Sequence, residues 1–147
     1  MRNDHSSRSS SLKSVDVVLE FMKRINQRDP DRLADLMSED HTFVDSLGGA
    51  VCGKERMRQG WKQYFAMCPD YWVVHETIIA LEHQIAIFGT AGGTIAGQHD
   101  AGLDNHWRTP AAWLAVLHND LIKEWRVYAD NKPVYDILSR SRRPVAD

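Results

Sequence analysis

The sequence predicts an α+β domain in which a curved antiparallel sheet wraps around three helices of the N-terminal half. Apolar residues recur at helical spacing through the first half of the chain. Runs rich in β-branched and aromatic residues fill the second half, separated by short polar turns. Helices and strands therefore segregate along the chain instead of alternating, which separates this pattern from a parallel α/β sheet.

The elements follow in order. Residues 1–13 hold five serines together with Arg2, Arg8 and Lys13. Such a stretch buries too little apolar surface to offset its ordering entropy, so it is expected to be a disordered tail. Ser14 is placed to cap the first helix, in which Val15, Val18, Leu19, Met22 and Ile25 recur at helical spacing and Phe21 widens the stripe. Asp29 as N-cap and Pro30 at the first helical position open a second helix, with Leu33, Ala34, Leu36 and Met37 as its buried side. Residues 38–40 close it. A short strand over 41–45, a Leu47-Gly48-Gly49 turn and a second short strand over 50–52 lead to a third helix over 54–67. Met57, Trp61, Tyr64, Phe65 and Cys68 form its apolar side, and Pro69-Asp70 stops it. Four long strands follow over 71–81, 84–96, 106–117 and 121–130. The second carries Gly89, Gly92 and Gly93, which signal a bend, bulge or close backbone approach. Residues 133–138 read as a short closing helix. The ordered domain is thus expected over 14–138, with 139–147 a mobile basic tail.

Bulk properties bound the function. The chain has 147 residues, 43% of them hydrophobic and 26% charged, with a net charge of −2. That is one domain, with no strong field to draw it to nucleic acid or membrane. No apolar run approaches the ~20 residues of a membrane span, and the start lacks the apolar core of a signal peptide. A cytoplasmic location is the expectation. Cys52 and Cys68 form no CxxC pair and are expected to be reduced thiols. His75, His83, His99 and His106 lie on or beside the strands without a metal-ligand spacing, and no phosphate-binding glycine loop precedes a helix. Neither a metal nor a cofactor is expected.

Several segments together resemble the nuclear-transport-factor-2-like superfamily, in its SnoaL-like and ketosteroid-isomerase-like branch. They are Val17 to Met22, Arg28 to Leu33, Met37 to Asp40, Phe43-Val44-Asp45, Gly49 to Glu55 and the ending Ile122 to Asp130. The resemblance covers 14–138. It implies a cone-shaped sheet around the helices, a conical pocket between them, and a homodimer through the outer sheet face. Members include isomerases, cyclases, epoxide hydrolases and non-catalytic binders, so fold alone does not give function.

By this resemblance Asp45 falls where ketosteroid isomerases keep their general base. A carboxylate in an apolar cavity can take a proton next to a carbonyl, and burial would raise its pKa. The same residue can instead cap the following turn. Other parts of the isomerase pattern are replaced: Phe21 stands for the oxyanion-binding tyrosine, and Ala112 or Trp113 for the protonated aspartate. The Arg and two Asp of limonene epoxide hydrolases correspond to Thr90, Gly92 and Val127, while their pocket tryptophan matches Trp125.

Strand alternation sorts the remaining side chains. Trp125, Val127 and Ala129 share an inward face; Arg126, Tyr128 and Asp130 face out, where they suit an interface. Thr109, Ala111, Trp113 and Ala115 share one face of their strand, and Phe88, Thr90, Gly92 and Thr94 are expected to do so on theirs. Phe21, Phe43, Trp61, Trp113 and Trp125 then line an apolar pocket for a small apolar or aromatic molecule, or else fill the core. Three readings follow. The first is a cofactor-independent lyase, isomerase or polyketide-cyclase-like enzyme, with Asp45 as acid/base and Tyr64, His75 or Trp113 as helpers. The second is a non-catalytic ligand-binding protein, and the third a dimerisation module.

Overall fold

The first helix is built on a single apolar stripe. Val18, Phe21, Met22 and Ile25 recur at helical spacing and are all buried. Burying each such side chain is worth roughly 1.5–3 kcal/mol. The computed structural model describes residues 3–97 and 104–140, with side chains from Ser10 onward. Its elements are α1 (Asn3–Gln27), α2 (Pro30–Ala34), β1 (Met37–Val44), β2 (Ala50–Cys52), α3 (Lys54–Met67), β3 (Trp72–Leu81), β4 (Gln84–Thr94), β5 (His106–His118), β6 (Leu121–Ala129) and α4 (Lys132–Arg140). The α+β class, the three N-terminal-half helices and the closing helix are as the sequence predicts. Among the described residues no helix is long and apolar enough to cross a membrane.

Helix α1 starts at Asn3, where the sequence reading expects a disordered tail through Lys13. No glycine or proline interrupts this segment, and it finds partners on two hairpin tips. Ser11 Oγ accepts the Glu82 N–H at 2.9 Å, and Lys13 pairs with Asp120 at 2.9 Å. Ser14, expected as the cap, is buried within the helix. At the other end Arg28 adopts a left-handed φ of 54°. Its N–H donates to Ile25 O and the next N–H to Arg24 O, a Schellman closure.

Helix α2 starts as predicted, with Pro30 in the first turn and Asp29 accepting the Arg32 N–H. It stops after five residues, short of the expected Met37. Strand pairing overrides helical propensity here. The Leu36 carbonyl accepts the Ile122 N–H, and Met37 pairs with Ile122.

The six strands form one open sheet, in the order β2-β1-β6-β5-β4-β3. Neighbours are antiparallel except β1 and β6, which run parallel. On β5, Trp107, Thr109, Ala111, Trp113, Ala115 and Leu117 are all buried, alternating with exposed or half-buried residues. The parity expected for β5 and β6 therefore holds. That expected for β4 does not. Ile87 pairs with Trp113 and Ala91 with Thr109, so the inward set is Ile85, Ile87 and Ala91, all buried. Phe88, Thr90, Gly92 and Thr94 face the other side. Of the C-terminal tail expected over 139–147, Ser139 and Arg140 close α4; residues 141–147 lie outside the described residues.

His41, buried beside Phe21 on β1, carries its proton on Nδ1 and donates to Ile122 O at 2.7 Å. Burial holds its pKa below the ordinary histidine value, against the raising effect of that hydrogen bond.

Two glycines make opposite predictions. A Cβ on Gly89 would run into the Val74 carbonyl oxygen beside the β3 irregularity between His75 and Thr77. Gly89→Ala should therefore lower unfolding free energy by about 3 kcal/mol in urea denaturation. A Cβ on Gly60, inside α3, meets only Met57 side-chain atoms at 3.4 Å and beyond. Gly60→Ala should raise stability by about 0.5–1 kcal/mol.

Candidate functional site

A cavity of about 340 Å³ opens between α3, α4 and the inward face of the sheet. It exists because small side chains alternate with tryptophans along the strands. On β5, Thr109 and Ala111 lie between Trp107 and Trp113; on β6, Val127 and Ala129 follow Trp125. Helix α3 contributes Met57, Trp61, Tyr64 and Met67, and α4 contributes Val134, Tyr135 and Leu138. Tyr71, immediately before β3, completes an aromatic cluster. Its ring centroid lies 4.9 Å from Tyr64, 6.4 Å from Trp61 and 6.0 Å from Trp107.

Of the residues singled out in the sequence, Phe43, Trp61, Tyr64, Trp113 and Trp125 line this cavity. Phe21 does not. It is fully buried behind the wall, 4.8 Å from Trp125 and 6.4 Å from Trp61, and serves as core. His75 is exposed on β3 opposite Gly89 and outside the cavity lining. His83 and His106 are exposed, and His99 lies outside the described residues. Thr90 and Gly92 face away from the cavity, so neither supplies a polar group to it. Sequence reasoning missed Tyr71, Trp107 and the α4 residues. Trp107 was reachable by extending the β5 alternation one step; nothing periodic announces Tyr71.

Among the described residues Asp45 is the one charged side chain lining the cavity. It is exposed at the rim, not buried as the acid/base reading supposed. Its Oδ1 accepts the Leu47 N–H at 2.8 Å and the Gly49 N–H at 2.9 Å, while its backbone bridges the same turn. The carboxylate thus closes the β1–β2 turn. Beside it the Asn131 carboxamide donates to Ser46 Oγ at 2.6 Å, joining the start of α4 to this turn.

Of the neutral polar groups, Thr109, Asn131 and Ser46 are engaged. Thr109 Oγ1 donates to Asp130 O at 3.0 Å. Burial pushes the Tyr64 phenol above its ordinary pKa, with Tyr71, Cys68 and Tyr135 adding to the effect. Burial does the same for Tyr71. Both therefore remain protonated donors at neutral pH. Among the described residues no three His, Cys, Asp or Glu side chains converge as a metal site requires.

The β3 start that carries Tyr71 is pinned to the end of α1. Asn26 Nδ2 donates to Val73 O at 2.9 Å and Asn26 Oδ1 accepts the Val73 N–H at 2.8 Å. Arg28 Nη1 reaches Tyr71 O at 3.2 Å.

The family model described as the SnoaL-like domain matches residues 18–132. No curated protein matches. Many solved structures share the fold, and three illustrate it. A protein with a ketosteroid isomerase-like fold from Catenulispora acidiphila, in complex with trimethylamine, is 21% identical. Its TM-score is 0.71 over 87% of this chain and 93% of that one. A protein named as a SnoaL-like polyketide cyclase from Jannaschia sp. CCS1 is 19% identical, with a TM-score of 0.74 over 88% and 93%. An epoxide hydrolase of M. tuberculosis, similar to limonene epoxide hydrolases, is 15% identical, with a TM-score of 0.72 over 88% and 92%. At these identities the likeness establishes the fold.

Both cysteines are free, Cys52 exposed and Cys68 buried. Burial pushes the Cys68 thiol up to about 11, so thiolate is scarce there near neutrality. In native protein at about pH 8, an aromatic disulfide reagent should titrate Cys52 rapidly and Cys68 only on unfolding. Rapid reaction of both would contradict the burial.

Proposed function

The chain belongs to the SnoaL-like domain family, and from that premise we propose that it binds a small, neutral, apolar or aromatic molecule in the cavity beneath its sheet. The supporting observation is the lining: tryptophans, tyrosines and aliphatic side chains, with a single carboxylate at the rim. Ligand sites are typically largely apolar, with a few placed polar groups. A pocket so poor in titratable groups suits holding a ligand better than proton transfer, because Asp45 is engaged in its own turn.

A second reading keeps one specific observation. Among the described residues Asp45 is the only carboxylic acid on the lining, so it is the group that would act as acid/base in a cofactor-independent lyase, isomerase or cyclase. The readings separate on Asp45→Asn and Trp61→Ala, tested with naphthalene-type probes by calorimetry. The binding reading predicts that Trp61→Ala weakens affinity by at least roughly tenfold, since it removes a buried aromatic wall, while Asp45→Asn leaves it within about twofold. Turnover of an enolisable ketone that disappears in Asp45→Asn would favour the enzyme.

We also propose a homodimer through the outer sheet face. Val74, Ile79, Leu81, Phe88 and Tyr128 are exposed there, and pairing sets Phe88, Ala112 and Tyr128 in one row across β4, β5 and β6. A contiguous exposed apolar face is the usual mark of an interface. Sedimentation equilibrium should give a dimer for the native chain and a monomer for Phe88→Glu. A monomeric native chain would remove this proposal.

A further inference from the structure

The elements that wall the cavity are held with unequal firmness. Strands β5 and β6 are each paired on both sides. Helix α3 carries the buried Met57, Trp61 and Phe65, and the start of β3 is pinned through Asn26. Helix α4 differs from these. It buries Val134 and Ile137, lines the cavity through Val134, Tyr135 and Leu138, and follows β6 after the two residues Asp130 and Asn131. Asp130 is a fixed point, because Thr109 Oγ1 donates to its carbonyl at 3.0 Å. Its Oδ1 accepts the Lys132 N–H at 2.9 Å, and the Tyr135 N–H donates to Asn131 O at 3.0 Å. The helix is thus joined to the sheet as one piece at a short, well-defined joint.

Polar ties hold α4 down at opposite ends. At its start the Asn131 carboxamide donates to Ser46 Oγ at 2.6 Å, and both residues line the cavity beside the exposed rim residue Asp45. At its last residue Arg140 Nη2 donates to Asp104 O at 2.9 Å and to Asn105 Oδ1 at 3.1 Å, just before β5. These bonds are exposed or partly buried, so water can replace them at small net cost. Opening a strand would instead break a row of ladder bonds together. Local opening draws on the least firmly held element, and a lid turns on a few residues at the end of an element. We infer that α4 is a hinged lid over the cavity, turning at Asp130-Asn131 and latched by Arg140 and by the Ser46–Asn131 clasp, and that ligand enters and leaves past it. The inference rests on the pocket reading above and adds the route of access.

The test follows dimethylaminonaphthalene, a neutral probe excited apart from tryptophan, by stopped-flow fluorescence. It is mixed with the native chain, with Arg140→Ala and with Ser46→Ala. Opening that precedes both entry and exit multiplies the two rates by the same factor. The inference predicts that Arg140→Ala raises the association and dissociation rates in step, by roughly threefold to tenfold, and leaves Kd within about twofold. Ser46→Ala should raise the association rate by a similar factor. A wall residue with a merely structural role would act on dissociation alone. In the ligand-free chain, hydrogen exchange should quicken in α4 by the same factor in both variants and stay unchanged in β5. If the probe binds but both variants keep the native association rate, or Arg140→Ala changes only dissociation, α4 is a fixed wall; the inference fails while the pocket reading stands. If the folded native chain shows no saturable binding, the pocket reading fails and takes the lid with it.

Discussion

The cavity depends on one steric constraint, the alternation of small and bulky side chains on the inward faces of β5 and β6. Helices cover this face, so the inward residues must be apolar. Were they all bulky, the space under the sheet would close into ordinary core. Thr109, Ala111 and Ala129 keep it open while Trp107, Trp113 and Trp125 wall it. Phe21 and Ile25 on α1 close the interior behind that wall. The aromatic rings on α3 and before β3 then need only be held at a fixed distance, and the ties from Asn26 and Arg28 to the start of β3 hold them.

The same arrangement fixes the electrostatics. Charged side chains elsewhere in the molecule pair at the surface, as Arg58 does with Glu55 and Asp31. Exposed pairs of this kind contribute little to stability, and none intrudes on the cavity. What remains inside is neutral: two phenols kept protonated by desolvation and several indoles. Such a lining would select the proposed ligand by shape and apolar area rather than by charge. Asp45 illustrates how location and availability differ. It stands at the cavity rim, yet two backbone N–H groups of its own turn already occupy one of its oxygens.

Much of this was legible in the sequence. The β5 and β6 faces could be sorted because their inward and outward residues differ in polarity and size. On β4 the signal failed. Its glycines and alanines carry no polarity, and the aromatic Phe88 sits on the outer face, where a partner could cover it. His75 was lost for a related reason: the irregularity after it breaks the parity that would place it. The boundary between α2 and β1 was ambiguous because Leu36 and Met37 suit a buried helix face and a strand start equally. Only pairing with Ile122, far along the chain, decides between them. Asp45 was found by position, but its role depends on turn hydrogen bonds that no residue pattern specifies.

The central claim is that the space beneath the sheet is a ligand site and not a closed core. The chain has five tryptophans. Trp61, Trp107, Trp113 and Trp125 line the cavity, while Trp72 packs over Gly92 on the opposite face of the sheet. Indole N–H resonances followed by ¹H–¹⁵N NMR during addition of naphthalene report on all five at once. The account predicts saturable shifts in the four cavity indoles and a stationary Trp72. Unmoved cavity indoles, or a Trp72 that moves as far as they do, would contradict it.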